Sequence, residues 1–192
     1  MGILSHTKRH RFVLFIVGLS FQWLLFAGEQ TKLSALKDQS FMKYLLIHPL
    51  HRIEATSKEL QCTIGYDDAT KTIVSASFSA EVSSFDSGNS NRDSHAMEVL
   101  DALTYPTVSF ESKNIAATGA ELQVSGDLSF HGITKPITLT ASTSSSADSL
   151  TVQGNADVSL TSFNIDRPSL LMIPVEDTLG ISFTMVFLHY NK

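Results

Sequence analysis

The chain carries one cysteine, Cys62, in 192 residues. An intrachain disulfide is therefore excluded, and a thiolate metal site has no second sulfur to draw on. Charge is scarce as well: 17% of the residues are Asp, Glu, Lys or Arg, and the net charge is -5. No basic run follows the N-terminus. Nucleic acid is thus not an expected partner, because phosphate neutralisation needs clustered Lys and Arg. Glycine appears in no Gly-x-Ser-x-Gly elbow and no Walker-type run, so the familiar acyl-transfer and phosphate-cradling motifs are missing. Long charged helical stretches are also missing. Abundant Ser and Thr stand in their place, which favours strands with hydroxyl-bearing outer faces.

The apolar residues that are present fall into two patterns. The first is one block, residues 12–27, broken only by Ser20 and Gln22. It follows Lys8-Arg9-His10-Arg11 and is short for a full membrane span of roughly 20 residues. Residues 1–28 are therefore read as a signal peptide or an N-terminal anchor. Either way the rest of the chain is exported, to the periplasm or beyond. Residues 29–40 read as a linker, and residues 41–192 as one domain large enough for a real core.

The second pattern is strict alternation. Val74, Ala76, Phe78, Ala80 and Val82 alternate with Ser75, Ser77, Ser79 and Glu81. Val108 and Phe110 alternate likewise, as do residues 122–130 and 150–160, and Ile181, Phe183, Met185 and Phe187 near the end. A two-residue period marks strands with one apolar face. Residues 41–47 and the long run 53–66, which includes Cys62, add two more. About eight antiparallel strands emerge, joined mostly by short turns. Such strands stack as a sandwich or close as a barrel, and an eight-stranded barrel either fills with side chains or holds one small ligand. The period alone does not say which.

One helix interrupts the strands. Met97, Leu100 and Leu103 fall at helical spacing, Asp93 or Ser94 serves as the N-cap, and Tyr105-Pro106 ends the run. Residues 163–174 read as irregular and apolar, since two prolines prevent a regular element.

The centre of the chain carries a resemblance. Asn91-Arg92-Asp93 with His95, then Tyr105-Pro106-x-x-x-Phe110-x-Ser112, then the run from Gly126 through Phe130-His131-Gly132 to Thr134-Lys135-Pro136, then Phe163-Asn164-Ile165 together resemble the YceI-like family. The resemblance covers roughly residues 41–188. It implies a mainly β fold, an extended lipocalin-like eight-stranded antiparallel barrel with one helix near its mouth. It also implies a long isoprenoid or similar amphiphilic chain in an apolar cavity, with no catalysis common to the family. The first strand departs from the family pattern: His48-Pro49-Leu50-His51 stands where Asp-x-x-His-Ser is usual.

Candidate cavity residues follow from the alternating faces: Phe78, Val82, Val108, Phe110, Leu128, Phe130, Val158, Leu160, Phe183 and Met185. Arg92 and His95, three apart on the helix, are the candidates for meeting a polar head group at the mouth. His48 and His51 invite a metal, but three apart on a strand they face opposite sides, so no metal and no cofactor is expected. The expected partner is an isoprenoid-type lipid, with membrane contact only through the N-terminal segment or ligand exchange, and a homodimer is compatible with the pattern. Two competing readings use the same barrel: an enzyme with Arg92 and His95 as polar participants, and an envelope module whose barrel is solid.

Overall fold

The computed structural model describes residue 2 and residues 30–188. Apart from Gly2, the expected targeting segment lies outside the described residues. Twelve strands and one helix follow in order: β1 (Gln30–Ser34), β2 (Phe41–His48), β3 (His51–Ser57), β4 (Leu60–Asp67), β5 (Thr72–Glu81), helix α1 (Ser90–Val99), β6 (Thr107–Thr118), β7 (Glu121–Phe130), β8 (Ile133–Ser145), β9 (Ser149–Ser159), β10 (Ser169–Leu170), β11 (Ile173–Pro174) and β12 (Thr178–Leu188).

Ten of the strands form one antiparallel sheet in the order β1-β4-β5-β6-β7-β8-β9-β12-β2-β3, and β10 pairs with β11 alone. The large sheet curls until its ends approach one another. Beyond β1, Ala35 stands opposite Phe187, and the Leu36 N–H donates to the Val186 carbonyl at 2.7 Å. At the other edge, Thr56 of β3 and Asp86 after β5 exchange backbone bonds of 2.9 and 3.0 Å. The fold is therefore the expected curled antiparallel barrel with one helix.

The large sheet has ten strands where about eight were expected, for two local reasons. Residues 29–40, expected as a linker, contain β1, whose register on β4 runs from Gln30 opposite Asp67 to Ser34 opposite Thr63. The run 53–66 breaks at Lys58-Glu59. There the fully buried Ser57 accepts the Glu59 N–H on its hydroxyl at 3.1 Å and bonds the Ser84 hydroxyl at 2.7 Å. A serine that bonds backbone two residues on is a turn former, and it wins over the alternating pattern around it. A bulge in the β4–β5 ladder at Gly65/Tyr66 shifts the register by one. Hence Ile73 points inward and Val74, expected inside, is exposed.

The helix is also shorter than its spacing suggests. Asn89 is the N-cap, accepting the Arg92 N–H, and the helix stops at Val99. Leu103 lies in the turns that follow and is fully exposed. Within residues 163–174 the chain forms the β10–β11 hairpin. Leu171 and Met172 take φ of 53° and 64° at its tip.

The central motif proves to be one packing unit. Gly126 faces the ring of Phe110, where a Cβ would collide with both that ring and the Glu111 carbonyl. Gly132 has φ 72° and lies against Tyr105, whose ring also meets His131 edge-on at 4.8 Å. His131 donates from Nδ1 to the Phe163 carbonyl at 3.0 Å. Phe163 in turn packs on Phe130 at 5.8 Å between ring centres. Residues scattered over 105–165 in the sequence thus meet at one end of the barrel.

Candidate ligand cavity

The inward faces of the strands enclose a cavity of about 230 Å³. The ten candidate side chains Phe78, Val82, Val108, Phe110, Leu128, Phe130, Val158, Leu160, Phe183 and Met185 border it. The inward residues of β7 border it from Leu122 to Phe130, a stretch of about 27 Å at the usual rise per residue. This volume drawn out over that length is a narrow tunnel, not a round pocket. It exceeds the roughly 150 Å³ at which an engineered apolar cavity stays dry and accepts benzene.

Burial separates a hollow barrel from a solid one. In a packed core, inward side chains lose nearly all their exposure. Here Met42, Tyr44, Phe78, Ile137, Leu139, Ile181 and Phe183 all line the cavity and all remain only half-buried. They stand against a void. Elsewhere along the barrel the lining is packed behind: Leu122, Val152, Leu160, Met185 and Phe187 are buried.

Helix α1 roofs one end. Asp93, Ala96, Met97 and Val99 of the helix line the cavity together with Leu100 at its C-cap, and none of the helix residues is buried. Arg92 and His95 are not among the lining residues. The helical repeat of 100° turns them off the face that carries Met97 and Leu100. Arg92 instead clasps the loop before the helix, its Nε donating to the Ser87 hydroxyl and its Nη2 to the Ser87 carbonyl, both at 2.8 Å. His95 sits at the surface, 3.7 Å from Glu98.

Three polar lining residues were not anticipated: Tyr44 on β2, Ser77 on β5 and Asp93 on α1, of which Tyr44 and Asp93 ionise. Both lay within reach of sequence reasoning. Tyr44 alternates with Met42 and Leu46, and Asp93 lies one turn before Met97 on the same helical stripe. Burial raises the Tyr44 pKa, the charge of Asp93 raises it further, and the charge of Arg92 partly offsets this. Asp93 accepts the Ser87 N–H on one carboxylate oxygen at 3.1 Å. Cys62 also lines the wall, and burial pushes its thiol up to about 12. A protonated, shielded thiol packs as a small hydrophobe and is a poor nucleophile.

His48 and His51 do not lie on one strand. They face each other across the β2–β3 turn, with ring centres 4.9 Å apart. His48 is buried, accepting the Leu50 N–H on Nδ1 at 3.2 Å and donating from Nε2 to the Ile173 carbonyl at 3.0 Å. Both nitrogens are thus occupied by the chain. Among the described residues no three His, Cys, Asp or Glu side chains come together, and no helix is long and apolar enough to cross a membrane.

A curled antiparallel barrel around an apolar tunnel, roofed by one helix, is a lipocalin-like architecture. The profile of the YceI-like domain matches residues 36–187, and the chain belongs to that family. It is 26% identical over 134 residues to Protein YceI of Escherichia coli O157:H7, spanning 66% of this chain and 70% of that protein. The Salmonella agona (strain SL483) Protein YceI is 25% identical over the same shares. Two solved structures share the fold. Burkholderia cenocepacia BcnA has a TM-score of 0.72 at 23% identity, covering 79% of this chain and 98% of that one. A polyisoprenoid binding domain from Saccharophagus degradans, implicated in plant cell wall breakdown, has a TM-score of 0.61 at 13% identity, covering 83% and 99%.

Proposed function

We propose that this protein is a non-enzymatic carrier or sequestering protein that holds one isoprenoid-type lipid in its barrel. The observation that carries the reading is the hollow: aromatic and aliphatic side chains along the tunnel stay half-buried because nothing of the protein fills the space between them. Family membership supports it, as does likeness in fold to a domain described as polyisoprenoid-binding. Removing hydrocarbon from water contributes about 0.8 kcal/mol per methylene. A long chain therefore binds tightly in a dry tunnel with little polar help.

The absence of a reaction is part of the proposal. Of the lining side chains only Asp93, Tyr44 and Cys62 ionise, and the last two have raised pKa values. No nucleophile–base pair faces the tunnel among the described residues. Export to the cell envelope is likewise part of it, supported by the basic start and the apolar block of residues 12–27.

Native mass spectrometry of protein purified gently from its own host tests the cargo. The expected result is a complex heavier than the polypeptide by the mass of one isoprenoid lipid. A species without any lipid would refute the carrier reading. Fractionation of the same cells tests the location, with recovery in the cytosol counting against export.

A further inference from the structure

We infer that the mouth of the tunnel is a head-group site for a hydroxyl, made by Tyr44 and Asp93, and that it selects an isoprenoid alcohol over the corresponding phosphate. The inference rests on the lipid-carrier reading and specifies the ligand's polar end.

The lining residues include no Lys, Arg or His. Their one carboxylate is Asp93, presented by the roof helix. Ser77 also borders the tunnel, but its hydroxyl donates to Glu111 Oε1 at 2.7 Å and has no proton left for a ligand. That leaves the Tyr44 hydroxyl as the donor and the Asp93 carboxylate as the anion a ligand can meet. Tyr44 is placed by β2 and held by Phe85, with ring centres 5.6 Å apart. Neither the Tyr44 hydroxyl nor the second Asp93 oxygen has a hydrogen-bond partner among the described residues. Asp93 is fixed in turn, because its first oxygen holds the Ser87 N–H at 3.1 Å.

The pair is complementary to a group that both accepts and donates. The Tyr44 O–H donates, and the Asp93 carboxylate accepts. An alcohol oxygen takes the first bond, and its proton makes the second. A phosphate has acceptors only, and it would bring negative charge against Asp93 in a setting of low polarity, where like charges repel most strongly. Arg92 offsets this only in part, since it is not among the lining residues and its Nε and Nη2 are tied to Ser87 in the loop before the helix. Sequence reasoning named Arg92 and His95 for the mouth; the lining carries a donor, Tyr44, and an anion, Asp93.

The test measures, for the full chain, the affinities of an isoprenoid alcohol and of its own phosphate ester by displacement of a bound fluorescent fatty probe. The alcohol is expected to bind about 100-fold or more tightly than the phosphate. Asp93→Asn keeps the oxygen that holds Ser87. It is expected to weaken the alcohol about tenfold and to narrow the preference. Tyr44→Phe, which leaves the ring against Phe85, is expected to weaken the alcohol by a smaller factor. Equal or tighter binding of the phosphate by the unaltered protein would overturn the inference while leaving the carrier reading intact. An unchanged preference in both variants would do the same. Binding of neither ligand would overturn the carrier reading, and this inference with it.

Discussion

At one end of the barrel Phe187 is fully buried, and Leu122, Leu150 and Met185 are buried with it. There the chain before β2 crosses β12, and the buried Ser40 hydroxyl accepts the Val186 N–H at 3.0 Å. At the other end the roof is a ten-residue helix without one buried residue, and the nearby β10–β11 hairpin exposes Leu171 and Met172 at its tip. The same alternating strands run through both ends, so pattern does not distinguish them. What differs is the cover: a backbone crossing with a buried seam at the first end, a helix with no buried residue at the second, although Leu160 and Phe163 at that end are buried. The half-buried wall residues, such as Phe78, Ile137 and Phe183, lie between the two ends.

The largest expected effect sharpens that contrast. Phe187→Ala removes a ring from the packed end and should cost about 3–5 kcal/mol in urea unfolding. Met97→Ala, on the roof, should cost under about 1 kcal/mol. Similar costs at the two sites would break the distinction. Next comes a change within the tunnel. Ala156→Phe adds a ring where the wall faces empty space. In a solid core such overpacking costs about 1–3 kcal/mol. Here stability should change by less than about 1 kcal/mol while lipid copurification falls sharply, read by denaturation and mass spectrometry on the same sample.

A smaller effect is expected at the hairpin tip. Leu171 and Met172 both hold positive φ, the geometry of a two-residue turn that favours Asn-Gly. Replacing the pair with Asn-Gly should raise stability by about 1 kcal/mol, because strain and exposed apolar surface are both relieved. A loss of stability would mean that the tip makes contacts of its own. The last effect concerns alkaline pH. The Cys62 thiol stays protonated in the fold up to about 12, raised by burial from its ordinary value of 9.0. The unfolded chain therefore gives up its proton first. This contribution to stability is complete below about 9 and is lost as the pH rises from there towards 12. Cys62→Ala should flatten the fall in urea midpoint across that window, and an unchanged slope would mean the thiol is not shielded.

Much of the site was legible before any coordinates. Phe78, Val108, Leu128, Val158, Phe183 and the other five wall residues were found because a strand's period is two and a barrel has one inside. Where the ladder slips, the rule slips with it: Val74 came out on the solvent side because the bulge at Gly65/Tyr66 shifted its register. The helix was harder. Arg92 and His95 were chosen as charged neighbours at helical spacing, whereas the phase that decides orientation is set by Met97 and Leu100. That phase brings in Asp93. Serine chemistry at Ser57 and the pairing of β1 with β4 left no periodic trace, because each depends on partners far along the chain.

From its own residues the chain determined a β fold with one apolar face, a single roofing helix and the makeup of the tunnel wall, since each is a local regularity. Tertiary structure alone decided that the wall encloses a void, that His48 and His51 face each other across a turn, and that Tyr44 and Asp93 both line the cavity. The turn sets the histidine contact; the void and its polar lining join residues remote in sequence, fixed only when the sheet curls and its opposite sides come to rest a set width apart.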